Sequence, residues 1–243
     1  MTDALWEYVE CPDCKGRPVV SSRPATSSQF DGPRPMASLP VCQTCNGDGR
    51  VRQLAGDPRE KRLSEPHIWP LMDLVRDLQS HGLKVPNVDP DDGGTQATVL
   101  FLSETPGPKA VNSDYVSRDN PDPSARNMGK ALDAAGFSRT DVVLWNVVPY
   151  CVSTATENRN ASGAQIREAA IHTQAFINRL PKLRAVVFCG RQAQRAAQYL
   201  KLPPEVRAPR TFHSGAQSYN HSRCRDHILA TFKEARELTS SPM

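Results

Sequence analysis

Two sets of residues in this chain have the types and spacing for chemistry. The first is thiol: Cys11 and Cys14 in CPDC, and Cys42 and Cys45 in CQTC. A two-residue gap lets both sulfurs of a pair face one ion, and two such pairs close a tetrahedral shell. Gly16 follows the first pair, and Gly47 and Gly49 follow the second, where backbone amides can turn in toward sulfur. A structural zinc is the expected occupant; four thiolates can also hold an iron–sulfur cluster. The second set is polar and stands at the ends of apolar runs. Glu104 follows LFLS, Asn146 follows VVLW, Gly190 follows AVVFC and His213 follows RTF. An acid, an amide and an imidazole in such places make a candidate site if the runs are neighbouring strands.

The elements that must position them follow from the pattern. Residues 67–82 predict a helix, with Ile68, Leu71, Met72, Val75 and Leu78 on one face and Gly82 as its stop. VPNVDPDDGGTQ (85–96) is turn-rich. After it, strands are expected at 97–103, 141–150 and 184–190, with a short one within 207–215. Helices are expected at 124–136, 162–180, 191–200 and 220–239. Near-continuous apolar strands alternating with helices imply a parallel sheet covered on both faces. The fold class is therefore α/β: a three-layer α/β/α sandwich with a short central parallel sheet, plus a small N-terminal zinc-binding module. Ligands in such sheets bind at the C-terminal strand ends, where Glu104, Asn146, Gly190 and His213 fall. The organisation expected is a four-Cys module with a Ser/Pro-rich loop over 1–62, a helix and linker over 63–96, and the α/β domain over 97–243.

Bulk properties set limits. The 243 residues carry 30 Lys and Arg against 26 Asp and Glu, a net charge of +4 that permits a polyanionic partner without requiring one. No run approaches the roughly 18 apolar residues of a membrane span, and MTDALWEYVE is not a signal peptide. A cytoplasmic monomer is expected, in which seven cysteines are not explained by disulfides. The chain has no G-x-S-x-G elbow for a serine hydrolase and no G-x-x-x-x-G-K-[ST] loop for ATP or GTP.

CQTCNGDGR resembles half of the zinc-binding repeat of DnaJ-type chaperones, and CPDCKGR a shorter version of it; that likeness is confined to the knuckles. The ordered set LSETPGP, LWNVVPY, VVFCGRQA and TFHSG, within about 97–220, resembles the uracil-DNA glycosylase superfamily. The resemblance implies a monofunctional DNA glycosylase that needs no cofactor for catalysis, acts on DNA and leaves an abasic site. It implies that Asn146 reads the base edge, where an amide offers donor and acceptor on one plane. It implies that His213 donates to the base's O2 as the bond breaks, and that Glu104 positions water or balances charge on the sugar. Pro106 and Gly107 would shape the turn that follows. Two departures stand out: Thr105 is found where many relatives carry Asp or Asn, and Ser214 replaces the proline of an HPS motif. Gly190 and Arg191 match the strand-to-helix turn. Ser214, Gly215, Gln217 and Tyr219 occupy the stretch that meets DNA, Gln217 at the offset of the side chain that fills the flipped base's place.

Uracil-specific relatives carry a stacking aromatic shortly after the first motif. Here that region is long and polar, with Tyr115 its one aromatic residue, and with Ser117, Arg118, Asp119, Asn120, Asp122, Arg126 and Asn127. A bulky polar substituent would need such groups. The expected substrate is therefore an enlarged modified pyrimidine, such as the glucosylated hydroxymethylcytosine of phage DNA on which some relatives act. Uracil in base-excision repair is the alternative, and a nucleic-acid-binding protein with a decayed site the second.

Overall fold

The structure, a computed structural model, describes residues 6–10, 50–54, 57–153 and 159–240. The chain divides by its contacts into two units, Met1–Glu60 and Lys61–Met243. In the first, β1 (Trp6–Glu10) pairs antiparallel with β2 (Arg50–Leu54), in a register that sets Glu10 opposite Arg50. Cys11, Cys14, Cys42 and Cys45, and the zinc expected on them, lie outside the described residues.

The second unit runs α1 (Trp69–Ser80), β3 (Asn87–Val88), β4 (Val99–Ser103), α2 (Pro108–Ser113), β5 (Tyr115–Val116), α3 (Pro123–Ala134) and β6 (Val142–Asn146). It continues with α4 (Gly163–Ile177), β7 (Ala185–Cys189), α5 (Arg191–Ala196), β8 (Arg210–Thr211), α6 (Ala216–Tyr219) and α7 (Ser222–Ser240). The central sheet has four parallel strands in the order β6-β4-β7-β8. The chain thus leaves β4 in one direction and later crosses it in the other. Such a reversal opens a crevice at the C-terminal ends of the strands.

Alternation along the strands builds two cores. Leu100, Leu102, Val143, Trp145, Val186 and Phe188 face one layer with Leu71 and Val75 of α1, Phe176 of α4 and Ala193 of α5. Val99, Phe101, Val142, Leu144, Ala185 and Val187 face the other, with Met128 and Leu132 of α3 and Ile228 and Phe232 of α7. Trp145 stacks on Phe176 at 4.4 Å between centroids, and Phe101 lies 4.6 Å from Phe232. Segment 63–96, expected as a helix and linker, contributes Leu63, Ile68, Leu78 and Val85 to the first of these cores. Helix ends are set as the sequence signals: Asp122 accepts from the amides of Ser124 and Ala125 ahead of α3, and Ser162 and Gln165 form a capping box at α4. Among the described residues, no helix is long and apolar enough to cross a membrane.

Candidate active site

The crevice is a cavity of about 420 Å³ at the C-terminal ends of the strands, with Glu104, Asn146 and His213 all on its wall. Its floor is apolar, from Phe101, Val116, Met128, Leu144 and Trp145. Asn146 ends β6 opposite Ser103 and is 4% exposed; its Oδ1 is buried and has no hydrogen-bond partner among the described residues. A buried amide oxygen in that state costs free energy, so it is a group prepared for a ligand. The amides of Val147 and Val148 donate to the carbonyls of Ser103 and Glu104, at 2.9 and 3.0 Å, which fixes the exits of β6 and β4 against each other.

Glu104 turns back on the chain after β6. Its Oε1 accepts from the Ala161 amide at 2.6 Å. Burial raises its pKa, while that hydrogen bond and the charge of Arg191 oppose the rise. The acid at the strand end therefore also anchors the segment that returns to α4.

His213 is fixed by its neighbours. The Gly215 amide donates to Nδ1 at 2.9 Å, which makes Nδ1 the acceptor and leaves the proton on Nε2. Burial lowers the ring's pKa, with Asp122 pulling the other way, so the neutral ring is favoured. Both flanking glycines are required. A Cβ on Gly190, which has φ +92, would sit 3.1 Å from His213 Cβ, and one on Gly215 would sit 2.9 Å from Nδ1. Ser214 is buried; its Oγ donates to the Ser124 carbonyl at 3.0 Å, and its own carbonyl accepts from Asn127 Nδ2 at 2.9 Å. Two side-chain bonds to α3 thus hold the loop where a proline was expected.

Residues 90–236 match the family model of the uracil DNA glycosylase superfamily. The chain belongs to that superfamily. A search of curated proteins found no match. Among solved structures, that of a mimivirus UNG variant in complex with UGI is 13% identical, covering 65% of this chain and 68% of that one at a TM-score of 0.35.

Residues of three of the four motifs share the cavity wall, Thr105, Pro106, Gly107 and Ser214 among them, while Gly190 of the other packs against His213 without lining the cavity. The polar segment divides. Ser117, Asn120 and Asp122 line the cavity, whereas Tyr115, Arg118, Asp119, Arg126 and Asn127 do not. Tyr115 is buried in the core. Arg118 turns inward, 3.6 Å from Asp133, and Asp119 pairs with Arg139 at 2.5 Å. Arg126 is exposed, and Asn127 serves the Ser214 clamp. Of the residues expected to meet DNA, Gln217 is exposed on α6 and Arg191 is exposed at the start of α5, while Tyr219 packs against the second core. Asp89, Asp91 and Asp119 bring carboxylate oxygens within 4.8 Å of one another, but Arg139 holds Asp89 and Asp119, and Arg62 holds Asp91. Sequence reasoning missed Ser153, Arg159 and Asn160, which line the cavity from the chain after β6. Their signal was available: polar residues in a loop leaving a C-terminal strand end.

Proposed function

We propose that this chain is a monofunctional DNA glycosylase acting on a modified pyrimidine. The observation that carries the reading is the pairing, on one cavity wall, of Asn146's unpartnered amide oxygen with a neutral His213 whose Nε2 bears the proton. A nucleotide flipped from the stack would enter the crevice. Asn146 would read the pyrimidine edge. As the glycosidic bond lengthens, charge grows on the departing base, and the His213 Nε2–H would donate to O2 there, a contact worth most in the transition state. The second oxygen of Glu104 would face the sugar cation and the incoming water. Hydrolysis then gives the free base and an abasic site with the strand intact. Exposed Arg191, Arg207, Arg210 and Arg223 offer charges for phosphates.

A base larger than uracil is supported by the wall at Gly107. Gly107 is exposed and a Cβ there would meet nothing within 4 Å, so the cavity is open on that side. Uracil is the second reading, favoured by the apolar floor and by the withdrawal of Arg118 and Asp119 from the cavity. Release of glucosylated hydroxymethylcytosine would place the enzyme in defence against phage; release of uracil would place it in repair. The four cysteines fit a structural zinc by donor chemistry, and the pairing of Glu10 with Arg50 brings together the two ends of the segment that carries them. Metal analysis of the purified chain tests that assignment, with one equivalent of zinc expected.

The deciding assay offers duplexes carrying uracil, mismatched thymine, hydroxymethylcytosine or its glucosylated form, and reads abasic sites by alkaline cleavage. Release of at least one base, abolished in His213→Ala, is expected. DNA binding without release of any base would replace the enzyme with a decayed-site binding protein.

A further inference from the structure

Glu104 and His213 are carried by different arms of the chain, and one short helix is tied to both. Helix α5 leaves β7 at Gly190, which packs against His213. Side chains two residues apart on a helix point to nearly opposite sides, and Gln192 and Gln194 use that spacing. Gln192 leads to the acid. Its Nε2 donates to the Ala161 carbonyl at 3.1 Å, and the Ala161 amide donates to Glu104 Oε1 at 2.6 Å. Ala161 is buried and is held at both of its backbone polar groups. Arg195, about one turn along α5, donates to Gln192 Oε1 at 3.0 Å, which fixes the way the Gln192 amide faces.

Gln194 leads to the imidazole. Its Nε2 donates to the Thr211 carbonyl at 2.8 Å, and the Gly190 amide donates to the same oxygen at 2.8 Å. Thr211 ends β8, and His213 follows two residues later. β8 pairs with β7 through Arg210 and Thr211, so a side-chain bond at its end is a large part of what fixes the strand there. Both glutamines are half-buried, and neither lines the cavity. Whatever they do for a substrate, they do through Glu104 and His213.

We infer that Gln192 and Gln194 are positioning residues, Gln192 for the Glu104 carboxylate and Gln194 for the His213 ring. The chemistry those two groups perform rests on the glycosylase reading. Helix α5 is then the frame that sets acid and imidazole apart, and each glutamine acts on one of them alone.

The test replaces each glutamine by Met, close in shape but without the amide, and follows the Glu104 and His213 titrations by NMR in the full chain. Their signals are identified by absence from Glu104→Gln and His213→Ala. In Gln192→Met, Glu104 loses support for a bond that holds its pKa down, so its ionisation should move to higher pH while His213 stays put. In Gln194→Met the ring should be less shielded from water and titrate closer to its ordinary 6.5, with Glu104 unmoved. Each variant should lower the single-turnover rate of base release about tenfold, the scale of a small misplacement. The loss from Gln192→Met should vanish in a Glu104→Gln background and persist in His213→Ala, and Gln194→Met should do the reverse. Gln194→Lys, which keeps a donor, should recover most of the rate. Either glutamine moving both titrations, or neither, would overturn the inference, as would losses that multiply alike in every background. Urea unfolding shows which variants fold, and Leu at the same position replaces a Met variant that does not. A wild-type chain that releases no base would end the glycosylase reading instead, and the titrations would still judge both glutamines.

Discussion

Buried polar groups gather at both ends of the sheet, and the two gatherings differ in kind. At the N-terminal end of β6, Arg139 spans Asp89 at 2.7 Å, Asp119 at 2.5 Å and Asp92 at 3.2 Å, with both Asp89 and Asp92 fully buried. At the C-terminal end, Asn146, Glu104 and His213 surround a cavity. Burial, with Asp89 beside it, drives the Asp92 carboxyl well above its ordinary range, against the pull of Arg139. Yet Asp92 does not line the cavity. A displaced pKa therefore marks burial, and it marks a site when it comes with space for a ligand. One end is charge folded in upon charge. The other is neutral or half-committed polarity left facing a void.

The two ends should respond differently to substitution. The largest effect is expected from Arg139→Met, which strands the carboxylates it holds and should cost about 3 kcal/mol of stability, as for one partner removed from a buried pair. Denaturant unfolding measures it, and a loss of activity without a loss of stability would erase the distinction between the ends. Asn146→Ala and His213→Ala should instead leave the unfolding midpoint nearly unchanged and lower kcat about 10²–10³-fold, the scale for a lost transition-state donor. Next is Ser214→Ala, which frees one bond of the clamp and should lower kcat about tenfold with KM little changed; single-turnover rates report it.

The smallest effects are in pH. Glu104 ionises above its ordinary value of 4.5 and His213 gains a proton below its ordinary 6.5. Activity should thus rise with pH through the Glu104 ionisation, and Glu104→Gln should remove that limb while lowering the plateau. At the other end of the sheet the folded chain retains the Asp92 proton that the unfolded chain releases near 3.8, so stability falls as pH rises from there toward the raised value. Asp92→Asn should flatten that slope and raise stability near neutral pH relative to the wild type, as urea unfolding at a series of pH values measures.

The sequence was legible where local pattern decides structure. The apolar runs before Glu104, Asn146 and Gly190 became β4, β6 and β7, and their polar ends met because parallel strands place their C-termini together. It was not legible where a side chain chooses a distant partner. Nothing near Arg118 or Asp119 announces that Asp133 and Arg139 will draw them from the cavity. Nothing near Ser214 announces that its hydroxyl will reach a carbonyl 90 residues earlier. Ser214 stands where the HPS motif has proline, and its two bonds to α3 fix the loop there.

The shortness of β8 has a consequence in time. It joins the sheet through Arg210 and Thr211, beyond one earlier bridge at Arg207, and it carries His213 immediately after. β4, by contrast, is paired along both sides. Free energies of local opening follow the density of such contacts. The Gly190 amide, bonded to the Thr211 carbonyl, should exchange with solvent deuterium well before the amides of β4. The strand that carries His213 is then the first part of the sheet to breathe, on a clock separate from that of the core beneath it.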